Sequence, residues 1–246
     1  MSRLSVAVYK AVSAILLRVY PAPRVEGVEN LPDGPCVIVG NHAQMHGPII
    51  AALFLPGECR IWCAAEMMHL KEVPAYAYRD FWSRKPRRVR WLFRIASYLI
   101  APLAAGVFNG GECIGVYRDS RVMSTFRETL ACLSEGVRVV IFPEEDAPGN
   151  GIVWSFQRGF VDVARLYCAR EKKPLSFVPM YVAPALRRVV LGAPVEYRPG
   201  GDPEAERERV CAALTDAITQ MALALPPHTV VPYPNLPKAE YPQNHL

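Results

Sequence analysis

The sequence predicts an α/β fold: a single domain with a largely parallel central sheet flanked by helices, led by an N-terminal amphipathic helix. Two observations predict it. Short β-rich runs alternate with turn chemistry and helical patterns along most of the chain, the order expected of a parallel sheet with helical crossovers. The 246 residues, 51% of them hydrophobic, also suffice for one large core and fall somewhat short of two independent ones.

The elements follow in order. Residues 3–20 place Leu4, Val8, Ala11, Val12, Ile15, Leu16 and Val19 at helical spacing, with Lys10 and Arg18 able to reach toward lipid head groups. That helix either lies flat in a bilayer interface or packs on the domain as an ordinary first helix, and it ends at Pro21 and Pro23. Strands are expected at 36–40, 60–64, 113–116, 138–142 and 177–182, and helices at 48–55, 89–99, 121–134, 156–170 and 203–225. Asp202 and Pro203 supply the cap and first position of the last helix. Beyond it, Pro226, Pro227, Pro232, Pro234, Pro237 and Pro242 impose an extended tail, laid over the domain or disordered. The expected organisation is therefore 1–23, 24–225 and 226–246.

Composition narrows the function classes. A net charge of +5, from 28 basic against 23 acidic residues, is too mild to point to nucleic acid and suits an anionic lipid surface. The seven cysteines lie mostly in apolar stretches, where cysteine packs as a small hydrophobe, and no disulfide framework is expected. Cys59 and Cys63 have the spacing of a zinc half-site but lack a second matching pair, so no metal is expected. The apolar run at 11–17 is too short for a signal peptide and has no cleavage site after it. The longer run at 91–108 is interrupted by Arg94 and Pro102, which argues for attachment to the cytoplasmic leaflet rather than a membrane span. Just before it, Arg79, Arg84, Lys85, Arg87, Arg88 and Arg90 mix with Tyr76, Tyr78, Phe81, Trp82 and Trp91, a composition suited either to a phospholipid surface or to a solvated basic loop.

The chemistry centres on Val37-Ile38-Val39-Gly40-Asn41-His42, which puts a histidine just past the carboxyl end of a buried strand, where ligand sites form in open α/β sheets. The approach Val25-Glu26-Gly27-Val28-Glu29-Asn30-Leu31-Pro32, then Gly34-Pro35 and the strand ending in Asn41-His42, resembles the opening of the lysophosphatidic acid and glycerol-phosphate acyltransferase family. Val116-Tyr117-Arg118-Asp119 resembles that family's second block, and Ile141-Phe142-Pro143-Glu144 the start of its third. Phe156 to Phe160 with Ala164, and Val178-Pro179, fit later blocks, so the likeness spans roughly residues 24–183.

The resemblance implies acyl transfer from acyl-CoA or acyl-carrier protein, as co-substrate rather than cofactor, to a lysophospholipid or glycerol-phosphate-like acceptor at a membrane surface. In that scheme His42 takes the proton of the acceptor hydroxyl. Asn41, Phe142 and Pro143 then belong to the substrate site, Arg118 contacts an acceptor phosphate, and Arg158 and His46 are further candidates for binding. His46, four residues from His42, is better suited to packing at a helix entrance.

Two departures stand against the likeness. The family's first block is His, four residues and Asp, but the fifth residue after His42 is Gly47, so the carboxylate that would orient the imidazole is missing. Where the third block continues Gly-Thr-Arg, this chain has Glu145-Asp146-Ala147. The coincidence of an acidic gain and an acidic loss suggests that Glu144 or Asp146 supplies the lost carboxylate in space. The alternative is a catalytically silent scaffold of the same fold that binds acyl chains or membrane. No nucleophile elbow, Gly-rich phosphate loop or dinucleotide fingerprint competes with these readings.

Overall fold

The computed structural model describes residues 2–82 and 86–245, so Arg84 and Lys85 of the basic aromatic segment lie outside the described residues. In chain order the elements are α1 (Arg3–Val19), β1 (Arg24–Glu26), β2 (Val37–Gly40), α2 (His46–Leu53), β3 (Cys59–Ala64), α3 (Val73–Ala77), α4 (Arg90–Gly110), β4 (Ile114–Val116), α5 (Val122–Ser134), β5 (Arg138–Ile141), α6 (Asp162–Glu171), β6 (Ser176–Ala183), β7 (Arg188–Leu191), β8 (Val195–Glu196) and α7 (Pro203–Leu223). The fold class is the predicted one, α/β with a mostly parallel sheet flanked by helices. The chain clusters into two compact units, Met1–Tyr20 with Arg60–Thr125, and Pro21–Cys59 with Phe126–Leu246.

In the first unit, Ser2 caps α1 by accepting the Ser5 N–H at 3.0 Å. Helix α1 packs along α4. Their backbones approach closely because α4 presents glycine there: a Cβ on Gly106 would stand 2.9 Å from Val8 Cγ1, and one on Gly110 would overlap the Ser5 carbonyl. Helix α4 is longer than expected. It runs unbroken through Pro102, although a proline forfeits one intrahelical hydrogen bond, because packing against α1 and α3 holds the helix in place. Arg94 does not interrupt it either, since its guanidinium lies over the Tyr78 ring at 5.3 Å. The sequence reading of a broken apolar run is thereby corrected: the 24 residues Arg87–Gly110 are long and apolar enough, by length and composition, to cross a membrane. Much of that surface is uncovered, with Trp91, Leu92, Ile95, Tyr98, Leu99 and Leu103 exposed. Strands β3 and β4 pair in parallel, Trp62 opposite Ile114, and the Thr125 hydroxyl ties back to the Gly115 carbonyl at 2.7 Å.

The second unit holds the larger core. Its sheet runs β1-β7-β6-β2-β5, with β8 also pairing β6. Strand β2 lies between parallel neighbours, Val37 opposite Val139 of β5 and Phe177 of β6. Its residues Val37, Ile38 and Val39 are fully buried, which is why this strand reads as a continuous apolar run. Strands β7 and β8 pair antiparallel with β6. Helix α7 lies on β6 and buries Glu206, Val210, Leu214, Ile218 and Ala222, one face at four-residue spacing. Asp202 accepts the Ala205 N–H at 2.9 Å, the expected cap. The expected helix at 156–170 begins later, as a short 3₁₀ turn, Arg158–Val161, leading into α6. After α7 the expected extended tail instead doubles back on itself: the Val230 N–H donates to the Pro242 carbonyl at 2.8 Å and the Asn244 N–H to the His228 carbonyl at 3.1 Å, Thr229 bridges Gln243, and Lys238–Glu240 form a 3₁₀ turn.

Candidate active site

The end of β2 is built by two side chains that continue the sheet beyond its backbone. Asn41 is buried, its amide donating to the Val182 carbonyl at 3.1 Å while its Oδ1 accepts the Val182 N–H at 2.7 Å. The side chain thus acts as one more peptide in the β2–β6 ladder and fixes where the chain leaves the sheet. At the next residue the His42 N–H donates to Glu144 Oε2 at 2.6 Å, while Glu144 Oε1 accepts the Trp154 N–H at 2.9 Å. Glu144 itself sits just past β5, in a loop that folds back on Phe156.

The chain then turns sharply. Ala43 and Gln44 adopt left-handed backbone, φ 44° and 54°, a conformation that costs a non-glycine residue about 1–2 kcal/mol and persists where the surroundings over-determine it. The Gly47 N–H closes the turn on the His42 carbonyl at 3.0 Å. Glycine is required there by space. A Cβ at position 47 would lie 2.6 Å from the His42 carbonyl oxygen, 2.8 Å from Phe142 Cε1 and 2.9 Å from the Asn41 carbonyl oxygen. The missing aspartate is therefore more than an absent charge, because this turn has no room for any side chain at that position.

Two aromatic rings flank the imidazole of His42, a residue that is partly buried. Phe142 meets it edge-on at 5.3 Å and 63°, and Tyr233 from the tail at 5.7 Å and 76°. Its Nδ1 is buried with no hydrogen-bond partner, alone in that respect among buried side-chain nitrogens and oxygens of the described residues. Burial lowers the His42 pKa below its ordinary value, opposed by the Gln44 and His42 backbones. Burial likewise raises Glu144 to about 7, opposed by the two N–H groups that its carboxyl accepts.

The structure thus brings together Asn41, His42, Phe142, Pro143 and Glu144, but in roles that the sequence left open. The proposed repair does not take place as imagined: Glu144 directs both oxygens to backbone N–H groups, of His42 and Trp154, and not to the imidazole. Asp146 is exposed in the loop beyond. His46 begins α2, half-buried, with burial lowering its pKa. Arg158 lies beside α7, its guanidinium 3.7 Å from Glu204 and 3.8 Å from Glu208. Arg118 stands exposed after β4 in the first unit. The residue that sequence reasoning missed is Tyr233, which sits in a proline-rich stretch 191 positions beyond His42 and carries no local signal of a site.

No protein-family model and no curated protein matches the chain. Among solved structures it is similar to the 1-acyl-sn-glycerophosphate (LPA) acyltransferase PlsC from Thermotoga maritima, with 19% sequence identity and a TM-score of 0.49 over 88% of this chain and 78% of that one.

Proposed function

We propose that the chain is an acyltransferase that moves a fatty acyl group from acyl-CoA or acyl-carrier protein to a lysophospholipid or glycerol-phosphate-like acceptor, with His42 as general base. The observation that carries this reading is the buried, unpartnered Nδ1 of His42 at the carboxyl end of β2. A polar atom left unpaired in the interior costs about 1–3 kcal/mol and calls for a reason, of which a reaction is one. Partial burial also favours the neutral ring, which has a lone pair to offer near pH 7. The acceptor hydroxyl gives its proton to the imidazole as its oxygen bonds to the thioester carbonyl carbon. The carbon–sulfur bond then breaks, and the proton passes to the departing thiolate.

Arg118 suits the acceptor phosphate, because a guanidinium fork matches its oxygens. A membrane setting is supported by the exposed apolar residues of α4 and by Leu4, Ile15, Leu17 and Val19 on α1. The exposed Arg87 and Arg88 just before α4 suit an anionic head-group layer at the cytoplasmic face. The specific observation favouring the other reading, a catalytically silent acyl- or membrane-binding scaffold, is that no carboxylate hydrogen-bonds the His42 ring among the described residues. In a serine-protease triad, losing that partner costs about 10⁴ in turnover.

The test is free-thiol release from long-chain acyl-CoA and acyl-carrier protein, with and without a mixed lysolipid extract, for wild type and His42→Ala. Acceptor-dependent release that falls at least about 100-fold in the variant is the expected result. Release without acceptor would mark thioester hydrolysis, and no release from either donor would put the scaffold reading first.

A further inference from the structure

The proline-rich tail reaches the turn that carries His42, and it is fastened on both sides of that point. On one side the Asn244 amide donates to the Ala222 carbonyl at 2.8 Å, and its Oδ1 accepts the His228 N–H at 2.7 Å. His228 is buried between Tyr181 and Pro226, 2.8 Å from the hydroxyl and 2.8 Å from the carbonyl. A carbonyl only accepts, so Nδ1 of His228 carries the proton toward Pro226. On the other side Gln44, in the strained turn, donates through Nε2 to the Tyr241 hydroxyl at 2.7 Å and to the Pro234 carbonyl at 3.4 Å. Between these anchors Tyr233 presents its ring to the imidazole.

We propose that this tail is a working part of the site: Tyr233 and the Gln44–Tyr241 latch position the His42 imidazole, substituting by packing for the carboxylate that Gly47 cannot carry. The kinetic side of the proposal rests on the acyl-transfer reading. An oriented imidazole needs its ring rotation restricted, and a hydrogen bond to Nδ1 is one way to do that. Two edge-on rings on different elements, Phe142 after β5 and Tyr233 on the tail, are another, at about 0.5–1.5 kcal/mol per aromatic pair. The latch acts one step back. It holds Gln44, whose left-handed backbone, with that of Ala43, aims the residue before them. Tyr233, Gln44 and Tyr241 are positioning residues, since their effect on the reacting atoms runs through His42. Titratable groups beside the turn among the described residues include Glu144 on the loop after β5, His46 at the start of α2, and Tyr233 and Tyr241 on the tail.

The experiment uses the full chain with Tyr233→Ala, Tyr233→Phe and Tyr241→Phe. Thiol release gives kcat and KM for long-chain acyl-CoA, and the His42 ring is titrated by NMR in ¹³C-histidine-labelled protein, its signal identified with His42→Ala. For Tyr233→Ala the expected result is a kcat about 10–100-fold lower with KM within about two-fold, and a His42 titration moved upward as water reaches the ring. Tyr233→Phe, which keeps the ring facing the imidazole, holds kcat within about three-fold of wild type and leaves the His42 titration in place. Tyr241→Phe lowers kcat about three- to ten-fold and is not additive with Gln44→Ala. An unchanged His42 titration in Tyr233→Ala would overturn the proposal, as would a Phe variant no better than Ala. If the wild-type protein transfers no acyl group, the acyl-transfer reading falls, and the titration still decides whether the tail holds the ring.

Discussion

Glu144 offers a prediction whose sign can be worked out from the geometry. Its carboxyl is only 4% exposed and accepts N–H groups from His42 and Trp154 at 2.6 and 2.9 Å. Two effects compete: burial disfavours the charged form, and two N–H donors favour it. Burial wins, and the group titrates at about 7 in place of 4.5. Between those values the folded protein holds a proton that the unfolded chain has released. The contribution of this group to stability is therefore fully present below about pH 4.5 and is lost as pH rises toward 7, by about 3 kcal/mol in all. Glu144→Gln removes the titration. Its single carbonyl accepts one of the two N–H groups and sets an amide NH₂ against the other, at a cost of about 1–3 kcal/mol. Urea unfolding of both proteins at pH 5, 6, 7 and 8 measures the gap between them. The gap narrows from pH 5 to 7 and levels off above that. A gap that widens with pH would show that the two N–H bonds outweigh burial, and a constant gap that Glu144 does not titrate differently in the folded state; either refutes the reasoning.

Three further outcomes follow from the same neighbourhood. Gly47→Asp, which writes the family carboxylate back into the sequence, forces a Cβ against the His42 and Asn41 carbonyls and the Phe142 ring, and lowers thermal stability by more than about 2 kcal/mol without raising thiol release. A variant as stable as the parent would show that the turn can open. Asn41→Ala strips both partners from the Val182 peptide and costs about 2–5 kcal/mol in urea unfolding, whereas a loss below about 1 kcal/mol would mean that water takes their place. Arg158→Ala removes exposed ion pairs longer than 3.5 Å, so stability changes by less than about 0.5 kcal/mol; an unchanged KM for the acceptor marks a surface role, and a many-fold rise in that KM marks Arg158 as a substrate contact.

Much of the fold was legible because buried strands leave a plain mark. The runs Val37-Ile38-Val39 and Val139-Val140-Ile141 are covered on both faces, and their apolar character shows without any partner being known. Strands β1, β7 and β8 were not legible: they are two to four residues long, partly exposed, and exist only because β6 and β7 offer edges to pair with. Helix α4 was cut short at Pro102 by a local rule that packing against α1 overrides. At the site, His42 could be found because a strand end points to it. The role of Glu144 could not, since whether a carboxyl bonds a ring or a backbone N–H is decided by about an ångström of geometry. The latch between Gln44 and Tyr241 joins residues 197 positions apart and leaves no trace in either segment.

The glycine notch between α1 and α4 has a consequence for how the protein is made. Helix α1 is complete by Val19, yet the helix that receives it starts only at Arg90 and its notch lies at Gly106 and Gly110. At about 5–20 residues per second, the ribosome needs roughly 5–20 s to supply the partner. For that interval the nascent α1 carries the side meant for α4 in the open, next to the already exposed Leu4, Ile15, Leu17 and Val19. Until then the side of α1 that faces α4 lacks the helix it packs on in the finished fold.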